Sequence, residues 1–260
     1  MQTIEYRLDD GVATITLNRP EHKNAINADM TRELAEVVIQ VRDSDEIRAL
    51  VITGSGGSFC AGGDIKAMLA SRDNQPERQA RMRFHHRWLE QLIHLDKPVI
   101  AAVDGPAFGA GFGLALAADM IIASDNARFC MAFMKIGLVP DFAALYTLPR
   151  VVGLQRAKEI MYSARTIEAD EAVALGIALE KVAPDALAGR AQAIAGSLAQ
   201  ASPTAFAQTK RALNGSQLND LKTMLDIELT SQSVAFATRE HNDAVDGFLA
   251  KQPPAFKWPE

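Results

Sequence analysis

The stretch KIGLVPDFAAL, residues 135–145, is apolar apart from its leading lysine and one carboxylate, Asp141. A carboxylate so placed can cap a helix or carry a proton for a reaction. Two glycine-rich loops elsewhere offer the partner that proton chemistry needs. One is SFCAGGDIKAM, which follows the apolar run ALVITG; the other is GPAFGAGFGLALA, which follows PVIAAVDG. Small residues let a ligand approach the backbone closely. Each loop leads into a helix whose first N–H groups lack internal acceptors and whose dipole favours negative charge. Two such loops facing one point would supply a pair of N–H donors, an oxyanion hole for a carbonyl gaining charge. The competing reading is that the glycines serve only close helix packing, and that Asp141 is only a cap.

Other chemistries fit less well. VDGPAFGAGFG superficially resembles a dinucleotide loop, but the third glycine of G-x-G-x-x-G would fall at Leu114, and the helix that follows spans only about two turns, short for a nucleotide crossover. The five histidines, His22, His85, His86, His94 and His241, have no metal-ligand spacing, so no metal site is expected. His85 and His86 read as one packed and one solvated position of a helix. Cys60 sits in the first loop without a nearby base and reads as a small filler rather than a nucleophile. No G-x-S-x-G elbow is present.

The elements that must position these residues follow the same chain order. TIEYRL and VATITLN alternate around Asp9-Asp10-Gly11 and predict a hairpin. Asn27 predicts the N-cap of a helix through ADMTRELAEVVIQVRDS. ALVITG, KPVIAAVDG and MIIASD predict buried strands, with a polar-faced helix over about 76–95. Beyond about residue 143 helical periodicity takes over, interrupted by a strand at IALEKVA. This predicts an α/β core over 1–195 and a helical C-terminal region over 196–260. The chain has 260 residues, 48% hydrophobic and 23% charged, with a net charge of −5, which argues against non-specific nucleic-acid binding, since that requires basic surface. No apolar run reaches the ~20 residues of a membrane span. The first residues lack the pattern of a signal peptide, and two cysteines make no disulfide framework, so a cytoplasmic location is expected.

The residues also carry a resemblance. TLNRPEHKNAIN, GSFCAGGDIKAM, KPVIAAVDGPAFGAGFGLALAADMIIAS, ARFCMAFMKIGLVPD, LPRVVGLQRAKEIM and DAVDGFLAK together resemble the crotonase, or enoyl-CoA hydratase/isomerase, superfamily. The resemblance implies a spiral of ββα units closed by C-terminal helices, a homotrimer or dimer of trimers, and an acyl-CoA substrate. Coenzyme A would enter as the substrate thioester, with no separate cofactor. It implies oxyanion N–H donors at Gly63 and Ala110. Lys23, Ala25, Ala61, Gly62, Asp64, Ile65 and Lys66 match segments that bind coenzyme A, as do Phe248 and Lys251 on a closing helix, often from a neighbouring subunit. Phe112, Phe133 and Phe142 are candidates for an acyl pocket, with Trp88 and Tyr146 as further aromatic candidates.

Departures from the family pattern narrow the chemistry. Family hydratases place two glutamates where this chain has Gly113 and Phe133. Water addition needs a base for the water and an acid for carbon, held together, and two apolar replacements cannot supply them. Asp141 matches the position at which some members keep a single catalytic carboxylate, and the tract around it resembles the isomerases of phenylacetate degradation. One carboxylate suffices for isomerisation, because the proton taken from one carbon is returned to another. Val139, Phe142 and Phe133 are expected to desolvate the carboxylate and raise its pKa. The alternatives are a weak hydratase, a dehalogenase-like use of Asp141 as nucleophile, or a silent coenzyme A-binding member.

Overall fold

The computed structural model describes residues 1–70 and 73–260. Strands β1 (Ile4–Asp9) and β2 (Val12–Leu17) form the expected antiparallel hairpin. Its turn residues Asp10 and Gly11 both have positive φ, 44° and 78°, the conformation that Asp-Gly hairpins favour. Helix α1 (Ala28–Asp43) is capped by Asn27, whose side chain accepts from the Met30 N–H at 2.9 Å. Strand β3 (Ala49–Gly54) runs parallel to β2, and is followed by α2 (Ile65–Ala70) and α3 (Gln75–Ile93). Then come β4 (Val99–Val103), β5 (Pro106–Phe108), α4 (Ala110–Leu116), β6 (Met120–Ser124) and β7 (Arg128–Cys130). A 3-10 turn over Ala132–Ile136 leads to α5 (Ala144–Val152) and α6 (Leu154–Ser163). Strand β8 (Ile167–Glu168), α7 (Ala169–Ala174) and β9 (Glu180–Val182) precede the helices α8 (Leu187–Ala199), α9 (Pro203–Gly215), α10 (Leu221–Phe236) and α11 (Arg239–Leu249).

Two sheets result. The larger has the order β1-β2-β3-β4-β6-β9 and is parallel except for its first pair; the smaller has the order β5-β7-β8. The near-continuous apolar runs of β3, β4 and β6 have a direct cause: both faces of the large sheet are covered. Leu50, Ile52, Val99, Ala101 and Val103 face the main core with α1, α3 and α4. Val51, Ile100, Ala102 and Ile122 face α8, through Ala191, Ile194 and Leu198. The smaller sheet was not foreseen, because its strands are two or three residues long and carry no period.

The expected boundary at residue 195 falls inside α8, whose last turn still packs on the sheet. Helix α9 is tied to the core by buried Lys210, which donates to Asp119 at 2.8 Å, and by Arg211 paired with Asp96. Helices α10 and α11 bury no residue in the single chain.

Candidate active site

The two glycine-rich loops are held side by side. Cys60 and Ala107 form a parallel bridge, with the Cys60 N–H donating to Pro106 O and the Phe108 N–H to Cys60 O, each at 2.9 Å. Gly62 has φ +105°, and a Cβ there would lie 2.9 Å from Phe108 O and 3.7 Å from the Ala110 nitrogen. Only glycine permits both the conformation and the approach. Gly63 bridges Ile26 through its neighbours: Ile26 N–H donates to Gly62 O at 2.8 Å, and Asp64 N–H to Ile26 O at 3.0 Å. The Gly63 N–H is therefore turned to the other side, because alternate residues of a parallel ladder bond on opposite edges. Ala110 opens α4, so its N–H has no intrahelical acceptor. Among the described residues neither N–H has a backbone acceptor.

The residues expected at coenzyme A fall into two groups. The Ala61 N–H donates to Lys23 O at 2.9 Å, which joins the segment of Lys23 and Ala25 to the segment Ala61, Gly62, Asp64, Ile65 and Lys66. The Asp64 side chain is already engaged: it caps α2 through the Lys66 and Ala67 N–H groups and pairs with Arg19 at 3.1 Å. Burial alone would raise its pKa, but those N–H groups and the guanidinium hold it below the ordinary value. Phe248 and Lys251 lie apart at the C-terminal end, Phe248 on α11 and 82% exposed.

Two positioning residues were missed. Asn24, fully buried with φ 56°, accepts from the Arg19 N–H and donates to Ser55 O and Ser58 O at 2.9 and 2.6 Å. Arg19 donates to Ala25 O as well as to Asp64. The available signal was an asparagine, tolerant of positive φ, between a hairpin and a helix cap.

Asp141 is not a side-chain cap. Helix α5 begins at Ala144, its N-cap Ala143 provides no side-chain bond, and the Ala144 N–H donates to the Asp141 carbonyl at 3.0 Å. The carboxylate Oδ1 is buried and has no hydrogen-bond partner. Burial pushes its pKa up to about 6, against the opposing pull of its own N–H and of the Arg81 charge. Asp141 lines a cavity of about 830 Å³ with Met68 of α2, Met82, Leu89 and Ile93 of α3, and Leu138 and Phe142. The α3 positions were legible as an apolar stripe on a helix read only as polar-faced.

The aromatic and apolar candidates differ in placement. Phe112 is fully buried against Phe129, with ring centroids 5.1 Å apart, and does not line the cavity. Phe133 also lies outside the cavity wall, its ring beneath Gly109, where a Cβ would stand 3.8 Å away. Val139 stands on the cavity wall beside Asp141 and is 72% exposed in the single chain. Phe142 is buried and does line the cavity, and Tyr146 lines it too, while Trp88 lies behind Phe142. His85 is buried and His86 exposed, as the helix pattern required. Cys60 is fully buried and its thiol is pushed up to about 12, which suits a filler. Among the described residues no three of His, Cys, Asp and Glu gather as a metal set.

Gly113 closes the geometry. A Cβ there would lie 2.6 Å from Phe142 Cβ and 3.2 Å from Asp141 O, so the Asp141 segment rests directly on the first turn of α4, the turn that Ala110 opens. A family model described as enoyl-CoA hydratase/isomerase matches residues 7–259. The chain belongs to the enoyl-CoA hydratase/isomerase family. It is 38% identical over 262 residues, 98% of each chain, to 1,2-epoxyphenylacetyl-CoA isomerase of Escherichia coli. It is 39% identical over 255 residues to a probable enoyl-CoA hydratase of Rhodobacter capsulatus, covering 98% of this chain and 97% of that one. An enoyl-CoA hydratase/isomerase structure from Cupriavidus metallidurans superposes with a TM-score of 0.95 at 46% identity, covering 100% of this chain and 98% of that one. The fold is thus the crotonase spiral, and Gly113 has no room for a side chain unless the Phe142 turn shifts.

Proposed function

We propose that the protein is an acyl-CoA isomerase that moves a double bond, or rearranges a ring, in an enoyl or ring-derived thioester. The observation that carries this reading is Asp141, a residue of the cavity wall whose carboxylate Oδ1 is buried without a hydrogen-bond partner. Ionised Asp141 takes a proton from a carbon activated by the thioester. The electron pair moves into the thioester carbonyl, whose oxygen becomes an enolate oxygen held by the N–H groups of Gly63 and Ala110. Protonated Asp141 then returns the same proton to a different carbon, and the carbonyl re-forms. No oxidant, water or further cofactor enters the balance. Glu90, the other carboxylate on the cavity wall, is exposed. That arrangement favours one-carboxylate chemistry over hydration, and the name of the Escherichia coli relative favours a ring-bearing acyl group. The coenzyme A portion is assigned to the joined segments around Lys23 and Ala61–Lys66, with Phe248 and Lys251 supplied across the interface of a homotrimer or a dimer of trimers.

Several relatives bear hydratase names, so the test must separate the two reactions. Purified protein is incubated with a 3-enoyl-CoA and, separately, with a 2-enoyl-CoA. The expected result is interconversion of the two; rapid formation of 3-hydroxyacyl-CoA from the 2-enoyl substrate would overturn the assignment.

A further inference from the structure

The turn that presents Asp141 is unusual in its backbone. Phe142 and Ala143 are consecutive non-glycine residues with φ of 51° and 59°, a left-handed conformation that side chains disfavour. Such a conformation persists only where the surroundings over-determine it. Here two contacts do so. Below the turn, the missing side chain of Gly113 leaves just enough room for it, since a Cβ would come within 2.6 Å of Phe142 Cβ and 2.8 Å of Phe142 O. Above it, the Phe142 ring is wedged between two residues of α3: His85, 5.0 Å between centroids, and Trp88, 5.9 Å in an edge-on arrangement. Phe142, His85 and Trp88 are respectively 3%, 7% and 2% exposed, so the wedge is part of the core.

The geometry points to Gly113 and Phe142 as positioning residues that together set the carboxylate of Asp141, one fixing the height of the turn on α4 and the other anchoring it to α3. This inference rests on the reading of Asp141 as the proton carrier. It goes further in assigning the orientation and dryness of that carboxylate to two residues that donate no proton and hold no charge. It also gives a physical reason why a second carboxylate on α4 is incompatible with this site: the space for its side chain is the space the turn occupies. The charged and titratable groups that share the cavity wall with Asp141 are Arg78, Arg81, His86 and Glu90 of α3, His94 at its end and Tyr146 of α5, with His85 packed on Phe142; α4 carries none.

The test compares four variants on the intact protein. Asp141→Asn examines the underlying reading and is expected to lose on the order of 10²-fold in kcat. Gly113→Ala and Phe142→Ala examine the wedge. Each is expected to lower kcat at least tenfold, Gly113→Ala with KM within about twofold, and to move the acid limb of the kcat profile to lower pH, as water reaches the carboxylate. Phe142→Leu keeps apolar bulk in the slot and is expected to recover much of the lost kcat and the parental acid limb. It also keeps the experiment readable if Gly113→Ala does not fold. Near-parental kcat and acid limb in folded Gly113→Ala or Phe142→Ala, with Asp141→Asn inactive, would overturn the wedge alone. An equal loss in thioester affinity and kcat, unrescued by Phe142→Leu, would also overturn it, since that is general damage. An active Asp141→Asn would remove the underlying reading instead.

Discussion

Asp141 lies where its backbone carbonyl accepts from the Ala144 N–H and its side-chain Oδ1 is left without a partner, so its replacement has consequences that a capping residue would not show. Asp141→Asn should remove most turnover while leaving binding of a non-reactive thioester nearly unchanged, checked by steady-state kinetics and calorimetry. Its stability should change in a direction set by the raised pKa. A carboxyl whose folded pKa is about 6 favours the folded state in its protonated form. No penalty exists below its ordinary value of 3.8; it grows as pH rises from there to about 6 and is complete above. A difference of this size corresponds to about 3 kcal/mol at most. Asp141→Asn should therefore be more stable than the parent at pH 8 and similar to it at pH 4, read from urea midpoints. A variant less stable at both values would show the side chain to be structural. The same pKa should appear in catalysis: kcat/KM should fall as pH drops through about 6, because only the ionised form accepts a proton, and that limb should be absent from thioester binding.

The elements divide into those that announce themselves and those that only the folded chain creates. Asp10-Gly11, Asn27 and the apolar runs of β3, β4 and β6 were legible because each is a local cause: a turn conformation, a side-chain cap, burial on both faces. Strands β5, β7 and β8 were not, because Pro106–Phe108, Arg128–Cys130 and Ile167–Glu168 are strands only by virtue of their pairing. The placement of the aromatic residues depends on the folded chain in the same way. Phe112 and Phe142 are chemically alike, and a left-handed turn at 142–143 decides which one meets the cavity. Helix α9 offers a test at this scale. Lys210 is 7% exposed and its ammonium donates to Asp119 and to Lys97 O, so the helix is docked by a buried ion pair. Lys210→Met would leave a partly buried carboxylate with only the Val99 N–H. The expected cost is about 3 kcal/mol at pH 8, smaller at pH 5, where Asp119 can take up a proton; burial already raises its pKa against the pull of Lys210. Adding Asp119→Asn should recover part of the loss, measured by urea denaturation at both pH values.

At the scale of the molecule, the unfinished surface is at the C-terminal end. Leu221, Leu225 and Leu229 of α10 repeat every four residues and form one stripe, yet each is at least 52% exposed, as are Phe248 and Leu249 of α11. An amphipathic stripe of this kind is ordinarily a buried face. Contiguous exposed apolar surface marks an association site. The assembly proposed above would cover it and would carry Phe248 and Lys251 towards a neighbouring chain's thioester. Light scattering at micromolar protein should then give a mass of three or six times the 28.1 kDa of one chain. Leu225→Glu combined with Leu229→Glu should reduce that mass to a single chain, since two carboxylates would have to be desolvated without partners. The consequence for catalysis separates assembly from chemistry. If α11 completes the coenzyme A site of a neighbour, the dissociated variant should bind thioester more weakly and show a raised KM. Its kcat at saturation should fall far less than in Asp141→Asn, because Asp141, Gly63 and Ala110 all belong to one chain. A dissociated variant with parental KM would place Phe248 and Lys251 outside the binding site, and a parent that scatters as a single chain would leave the stripe without its proposed occupant.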